Sequence, residues 1–358
     1  MSGRFRARHR CRHSSRCNSR VINNSVDSLM ASTVANGQLS RRQWSRFAAA
    51  VLLTCSLCSC AVAQRQESDA SRLRETAAVV EEVKAFEKSL GIEPTAALSQ
   101  TTQNAPALSM LWFWMQRMGT LALRKPVDIR MAIGFSTLKE QLRLEQVYRV
   151  DGYSVYYRQG NEFADPRSIA TVGFAEEGMV RRVKVILHED LHGDKNFDLP
   201  WDIEESIVTP LGSLAAVEFF KHKGDIENLR RALASVDEER EFSRQLNDLA
   251  KEAKRLFETE PLEQAKHKIL DSIGSYAIYS RQFRRQIAGQ NPSTVLEAKL
   301  SHDLAYYRYF DTIAALSEKA PDLRTLIEDL KNLPGDAGFE TLEKYLQDLN
   351  SRYSARQR

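Results

Sequence analysis

Three residues in the middle of the chain, His188, Glu189 and His192, have types and a spacing suited to metal-dependent hydrolysis. On a helix, two histidines four positions apart project from the same face, so both imidazoles can bind one Zn²⁺ ion. Glu189 would then lie beside the open fourth position of the metal without binding it. There it would accept a proton from the water that the metal activates and deliver it to a leaving amine. The spacing therefore predicts a peptide hydrolase with one zinc ion and Glu189 as general base.

The elements around this motif must supply a third metal ligand. The motif belongs to a predicted helix whose apolar positions recur at threes and fours, namely Val180, Val183, Leu187 and Leu191. Gly193 is suited to ending that helix, and Pro200 is suited to opening a second one after a short loop. Asp202, Glu204 and Glu205 stand in the first turns of the second helix, and one of these carboxylates can face back on the imidazoles.

This layout, with two histidines on one helix and a carboxylate from the next, resembles the gluzincin metallopeptidases. More narrowly, it resembles bacterial lipoproteins described as predicted aminopeptidases, which carry HELAH, twelve residues, and then Glu followed by Ser or Ala, an aromatic residue, Ala and Thr. Here Glu205 follows His192 after twelve residues and begins the stretch Glu-Ser-Ile-Val-Thr. The resemblance implies that Glu205, rather than Glu204, is the third ligand of a zinc peptidase that acts on peptide N-termini. Weaker similarity extends over most of residues 70–332, with pieces at 80–92, 152–166, 263–276 and 298–316.

Three departures from the family pattern lie in or near the metal motif. Asp190 and Leu191 replace Leu and Ala inside the motif, and Asp190 is either an exposed residue or a partner of the metal ligands. Pro210 and Gly212 follow one turn after the third ligand, and the proline predicts a kink in the second helix. Ile207 stands where the family has an aromatic residue. None of these changes removes a ligand or the base.

A peptidase also needs a donor that stabilises the negative oxygen of its transition state, and Tyr309 is the candidate. The resemblance carries this assignment, because the family has a tyrosine near the place of Tyr309. Tyr306 and Tyr307 make the choice ambiguous, and Tyr309 can instead be an ordinary core or surface tyrosine.

Substrate binding is assigned to Tyr153 and Tyr156 by analogy with gluzincins in general. With Tyr157, they are expected in an edge strand beside the metal, where an extended peptide substrate would pair with the backbone.

The hydrophobic pattern predicts a mainly helical α+β fold with a small sheet and long C-terminal helices, and the resemblance implies that this fold is a gluzincin-like domain. Helical periodicity covers 68–90, 206–222, 225–258, 262–288, 294–318 and 321–331, separated in the C-terminal half by Pro261, Pro292, Pro321 and Pro334. β-Branched and aromatic residues at 147–160 and 169–173 predict two or three short strands. Residues 109–125 form an apolar cluster assigned to the core or an interface. The domain is expected at 64–335, with the metal segment at 180–220 and a C-terminal helix and tail at 336–358.

The net charge of +4 over 358 residues conceals a division within the chain. Residues 1–60 contain ten Arg, no Lys and one acidic residue, so the remainder is mildly acidic. A body without a basic face does not suit nucleic acid, which is therefore not expected as a partner. All five cysteines also lie in residues 1–60, which excludes a disulfide framework and a thiolate zinc site from the body.

Residues 40–63 have the features of an export signal. Three arginines precede an apolar run at 47–58, which is shorter than the about 20 residues of a membrane helix. Arg41 and Arg42 resemble a twin-arginine signal, and residues 57–60 resemble a bacterial lipobox in which Cys60 is lipidated. We expect a protein of the cell envelope that touches the membrane only through a lipid anchor. Ordinary cleavage after Ala63 is the alternative and would leave a soluble protein. Residues 1–29 resemble no folded unit, and Met30 can be the true start.

Two other classes of function stay open from the sequence. A catalytically degenerate envelope lipoprotein could bind a partner through its long charged helices at 225–288, with or without structural zinc. Four protein ligands at the metal would favour that function, because catalysis requires an open position. A membrane-perturbing or nucleic-acid protein built on the arginine-rich front would lose its function in a chain that begins at Gln64.

Overall fold

The computed structural model describes residues 66–102, 110–121, 132–133, 152–160 and 168–356. The predicted export signal, with Cys60, and the predicted strand residues at 147–151 lie outside these ranges. Glu67–Arg358 forms one unit, so the C-terminal helix belongs to the same body as the metal segment. Within the described ranges, no helix combines the length and the hydropathy needed to cross a membrane.

The first helix of the described residues, α1, occupies residues 66–87 and leads into a 3₁₀ turn at Lys88–Leu90. The helix predicted at 68–90 is confirmed, and its apolar face is buried, as at Leu73, Val80 and Val83. Gly91 ends the element with a φ of 76°, a left-handed conformation that favours glycine.

Among the described residues, five short strands form two small sheets. They are β1 (Thr101–Thr102), β2 (Met110–Arg117), β3 (Ala132–Ile133), β4 (Tyr153–Gly160) and β5 (Ala170–Thr171). β2 is the centre of a three-stranded antiparallel sheet of order β3-β2-β4, in which Trp114 stands opposite Tyr156. β1 and β5 form a separate parallel pair. The small β component of the predicted α+β fold is therefore present.

The strand predictions are confirmed at 153–160 and only in part at 169–173. Thr171 ends β5 and caps the short helix α2 (Val172–Glu176), because its hydroxyl accepts a hydrogen bond from the Phe174 backbone at 3.2 Å. The central strand β2 comes from the apolar cluster at 109–125, for which no strand was predicted. Its run of aromatic and large apolar residues suits a strand, but it lacks the alternation that identifies one.

From Met179 to Arg356 the chain is mainly helical. The helices are α3 (Met179–Leu191), α4 (Trp201–Lys223), α5 (Ile226–Thr259), α6 (Leu262–Ile273), α7 (Ala277–Gln286), α8 (Pro292–Tyr307), α9 (Phe310–Ser317), α10 (Leu323–Lys331) and α11 (Phe339–Arg356). The predicted boundaries at the four prolines are confirmed, since each proline stands between two helices or at the first position of one.

Two predicted helices are each divided in two. The segment at 262–288 breaks at Gly274, which begins a turn, and the segment at 294–318 breaks after Tyr307. The second break has no Pro or Gly to mark it. There the side chains of Ser243 and Asn247 on α5 donate to the backbone carbonyls of Tyr307 and Arg308 at 2.6 and 2.8 Å. These long-range bonds satisfy the groups that the break leaves open, so local sequence could not reveal it.

The core consists of two hydrophobic clusters. One joins α1, α3, α4 and α9–α11, and the other joins β2, β4 and α5–α8. Helix α4 packs against α3, α5, α8 and α9 and is buried along most of its length. The predicted kink at Pro210 does not end this helix, which continues to Lys223. Packing on several sides outweighs the hydrogen bond that the proline removes.

Candidate metal centre

The three predicted metal ligands lie together where α3 meets α4. The Nε2 atoms of His188 and His192 are 3.3 Å apart. Oε2 of Glu205 is 3.4 Å from each of these nitrogens. His188, His192 and Glu205 thus form a group that could hold a metal ion.

The separations within this group fit a small four-coordinate ion. A tetrahedral ion with bonds of about 2.0–2.1 Å places its ligand atoms about 3.3–3.4 Å from one another. The three observed separations are 3.3, 3.4 and 3.4 Å. In addition, Oε2 of Glu205 is buried without a hydrogen-bond partner, a costly state for a carboxylate unless a cation balances it. The arrangement therefore passes a test of fit for a metal ion.

Gly212 lets the two helices approach closely at the first histidine. A Cβ atom added at Gly212 would lie 3.1 Å from Cβ and 3.2 Å from Cα of His188. The glycine noted as a departure from the family pattern therefore creates the close contact that brings Glu205 towards the histidines.

Replacement of Gly212 by Ala is expected to separate α3 from α4 and to weaken metal binding. Overpacking of this kind destabilises a fold by about 1–3 kcal/mol, and here the displaced backbone carries a ligand. Urea unfolding and metal titration would measure both effects. Gly338→Ala is the control, because a Cβ atom there meets nothing within 4 Å. Equal metal affinity in the two variants would contradict the prediction.

Glu204 orients the second histidine. Nδ1 of His192 lies 2.5 Å from Oε1 of Glu204, whose other oxygen accepts a hydrogen bond from the Leu199 backbone at 3.2 Å. A proton on Nδ1 that is donated to Glu204 leaves the lone pair of Nε2 for a metal. Spacing alone did not decide which carboxylate is the third ligand. In the structure, Glu205 contacts Nε2 of both histidines, whereas Glu204 contacts Nδ1 of His192, on the side of the ring away from the ligand group.

The other oxygen of Glu205 accepts a hydrogen bond from an indole. Nε1–H of Trp201, one turn earlier on α4, donates to Oε1 of Glu205 at 3.1 Å. The two oxygens of this carboxylate therefore have different neighbours, and only Oε2 faces the histidines.

The charges of the group are strongly coupled when no metal is bound. Burial alone lowers the pKa of His192, but the charge of Glu205, the hydrogen bond to Glu204 and the charge of Glu189 raise it well above its usual value. Burial alone raises the pKa of Glu205, but His192 and His188 hold it below its usual range. The carboxylate thus stays ionised, and a metal ion would replace the proton of His192 as its counter-charge.

Glu189, the predicted base, lies on α3 between the two histidines in sequence. Its side chain is buried, and its negative charge is one of the causes that raise the pKa of His192. It therefore lies within electrostatic range of the group without being one of its three ligands.

Asp190 is fully buried, which excludes the first of the two alternatives for it, an exposed residue. Its carboxylate accepts hydrogen bonds from Lys84 at 2.8 and 2.6 Å and from the Thr95 backbone at 3.1 Å, and also from the Thr95 hydroxyl. Lys84 belongs to α1, and its ammonium also donates to the Thr95 carbonyl at 2.9 Å. This ion pair ties the helix that carries both histidines to the N-terminal helix.

Glu87 adds a second carboxyl group to this ion pair. It is fully buried, and as an ionised group it has no hydrogen-bond partner for either oxygen. Burial first, and then the charge of Asp190, raise the pKa of Glu87 to about 10. A protonated Glu87 donates to Asp190, so the pair carries one negative charge against the positive charge of Lys84.

Replacement of Glu87 by Gln is expected to make the unfolding free energy less dependent on pH above pH 4.5. The folded protein keeps the proton of Glu87 up to a pH of about 10, whereas the unfolded chain loses it near 4.5. This group's contribution to stability is therefore full below pH 4.5 and declines as the pH rises. Urea unfolding at pH 6 and 8 should show a decline about 3 kcal/mol larger in the wild type than in the variant, because one proton separates the two states over these two pH units. Glu81→Gln, at an exposed position of α1, should decline like the wild type.

Tyr309, the predicted oxyanion donor, uses its hydroxyl elsewhere. The hydroxyl donates to Glu343 of α11 at 2.8 Å. The residue lines a surface cavity of about 490 Å³ between α9 and α11. Burial and the hydrogen bond to Glu343 raise the pKa of Tyr309. Its hydrogen bond therefore goes to α11 and not to the metal group, and this geometry gives no support to the oxyanion role.

The predicted substrate-binding tyrosines lie on β4, and one of them is inaccessible. Tyr156 is only 2% exposed, with its ring 5.1 Å from the ring of His302, whereas Tyr153 is half-buried at the start of the strand. The outer edge of β4 is also covered, since the Gln290 side chain accepts from the Tyr157 N–H at 3.2 Å and donates to its carbonyl at 2.9 Å. A peptide cannot pair with the backbone at that position.

Residues that surround the ligands were not identified from the sequence. Lys84 and Glu87 look like exposed charges of an amphipathic helix, and nothing local distinguishes them from their neighbours. Trp201 did carry a signal, because it precedes Glu205 by four residues and side chains at this spacing meet on a helix.

Comparisons of the chain with protein-family models, with curated proteins and with solved structures find no match. The chemistry of the centre is therefore inferred from its own residues.

Proposed function

We propose that this protein is a zinc-dependent peptide hydrolase that acts as an aminopeptidase in the cell envelope. The observation that carries the proposal is the triangle of His188 Nε2, His192 Nε2 and Glu205 Oε2, with sides of 3.3, 3.4 and 3.4 Å. Glu189, the residue suited to act as base, lies beside it on the same helix.

The ligand set favours zinc over magnesium and calcium. Two imidazoles and one carboxylate are a typical donor set for catalytic Zn²⁺, whereas Mg²⁺ and Ca²⁺ prefer oxygen ligands alone. Among the described residues, the group contains three ligands. A four-coordinate ion held by these three keeps one position for water or substrate, which is the arrangement of catalytic and not of structural zinc.

A bound zinc ion would supply Lewis acidity, which polarises a peptide carbonyl and lowers the pKa of water towards 7. The protein supplies the remaining steps. The Glu189 carboxylate accepts a proton from the attacking water and passes it to the leaving amine nitrogen. Glu204 holds the Nδ1 proton of His192, so that Nε2 keeps its lone pair directed at the ligand group. The preference for peptide N-termini comes from the family resemblance.

Metal content and peptide hydrolysis measured together test this proposal. The purified protein is expected to contain about one zinc ion per chain and to release amino acids from short peptides. A chelator should abolish the release, and Zn²⁺ should restore it. His188→Ala should lose both metal and activity. His267→Ala should keep both, because that side chain is 79% exposed on α6.

Two results would contradict the proposal. Release of amino acids that persists after complete removal of the metal would exclude zinc chemistry. Tight zinc binding with no hydrolysis of any peptide in a mixed library would instead favour a binding protein with structural zinc.

A further inference from the structure

The third ligand, Glu205, is held by a residue that no metal motif contains. The indole N–H of Trp201 donates to Oε1 of Glu205 at 3.1 Å, and Oε2 lies 3.4 Å from both histidines. A carboxylate can rotate about its last side-chain bond, and rotation would withdraw Oε2 from the histidines. The hydrogen bond from Trp201 opposes that rotation.

The position of the Trp201 ring is itself determined by other elements. Its centroid lies 4.8 Å from the ring of Trp114 on β2 and 6.1 Å from the ring of Tyr306 on α8. Both of these rings also contact His302, at centroid distances of 4.7 and 4.9 Å. We call Trp114, Trp201, His302 and Tyr306 the aromatic cluster. It connects the three-stranded sheet and α8 to the first turn of α4.

The aromatic cluster rests on buried charges of α8. Nδ1 of His302 lies 3.0 Å from Oδ1 of Asp303, which is 1% exposed. Asp303 also forms an ion pair with Lys299 and accepts a hydrogen bond from the Tyr279 hydroxyl at 3.0 Å. These contacts fix the orientation of the His302 ring, against which the rings of Trp114 and Tyr306 pack.

We propose that Trp201 is a positioning residue for the metal ligand Glu205: its indole N–H holds Oε1, so that Oε2 faces the two histidines. The inference rests on the proposed function only in that the histidine and glutamate group binds metal. It requires no particular substrate.

A matched pair of substitutions separates the hydrogen bond from the packing. Trp201→Phe keeps an aromatic ring in the cluster but removes the N–H that holds Glu205. Trp114→Phe makes the same change of ring in the same cluster, but the indole N–H of Trp114 is buried without a hydrogen-bond partner. The second variant therefore loses packing without losing a bond to the ligand.

The affinity of each metal-free chain for Zn²⁺ would be measured by competition with a chelator, and the Co²⁺ form by visible absorption. Trp201→Phe is expected to bind Zn²⁺ about 10–100-fold more weakly than the wild type, as for other residues that support metal ligands. Its Co²⁺ spectrum should also change, because a rotated carboxylate alters the ligand field. Trp114→Phe should bind within about threefold of the wild type, with an unchanged spectrum.

A measurement on the unmodified protein keeps the test valid if Trp201→Phe does not fold. In protein labelled with ¹⁵N-tryptophan, the indole resonance of Trp201 should shift when Zn²⁺ is added, whereas that of Trp114 should change little. Equal affinities and equal spectra of the two variants, or a Trp201 resonance indifferent to Zn²⁺, would overturn the inference. A wild-type protein that binds no metal would overturn the proposed function as well, so the two failures are distinguishable.

Discussion

Replacement of Glu189 by Gln is expected to reduce the rate of peptide hydrolysis by about 10²–10⁴-fold while the zinc content stays at about one ion per chain. Glutamine has nearly the same shape as glutamate but cannot accept the proton of the attacking water. The metal should remain, because the three ligand atoms belong to His188, His192 and Glu205. The turnover number and the metal content of one preparation provide the measurement.

A second glutamate serves as the control for this experiment. Glu177 lies two residues before α3 and is exposed, with its carboxylate 3.7 Å from Arg181. Glu177→Gln should hydrolyse peptides at the wild-type rate. Full activity in Glu189→Gln would show that Glu189 is not the base, and loss of zinc from that variant would show that its role is structural.

Replacement of Lys84 by Met is expected to destabilise the protein by about 3–5 kcal/mol and to weaken zinc binding. The substitution leaves the Asp190 carboxylate buried without its cation, next to the carboxyl group of Glu87. Asp190 lies between His188 and His192 in sequence, near the end of α3. If its unpaired carboxylate moves towards solvent, the backbone that carries both histidines should move with it, and the metal site should be distorted. Urea unfolding of the metal-free protein gives the stability, and a zinc titration gives the affinity.

Two further variants identify the cause of this loss. Lys88→Met, at an exposed position of the same N-terminal segment, should leave the unfolding free energy within about 0.5 kcal/mol of the wild type. In the Lys84→Met background, Asp190→Asn removes the unpaired charge and should recover part of the lost stability. If Lys84→Met unfolds like Lys88→Met, the ion pair does not hold α3.

The features that the sequence predicts well are set by short-range geometry. Two histidines at i and i+4, a glycine after the first helix and a proline before the second bring the ligands into one group, because each relation spans one turn or one short loop. The choice between Glu204 and Glu205 is different. Spacing alone permits either, and the structure shows why both are used: adjacent residues on a helix point about 100° apart, so one reaches Nε2 and the other Nδ1.

The features that were missed depend on partners distant in sequence. Asp190 looks like a charged residue on a helix surface, and only the approach of α1 reveals that it is buried. Tyr156 looks accessible on a short strand, and only the packing of α8 against β4 reveals that it is covered. A period of hydrophobicity identifies which face of an element is buried, but it does not identify what covers that face.

The separation in sequence of these contacts has a consequence for the order of folding. Glu204 reaches His192 across 12 positions, whereas Lys84 reaches Asp190 across 106. Closing the longer loop costs about 2 kcal/mol more in chain entropy. We therefore expect the histidine helix and its carboxylates to meet early, and the N-terminal helix to dock late. Helix α1 is synthesised before α3 and α4 but would dock after they have met, and a metal ion could bind before it arrives.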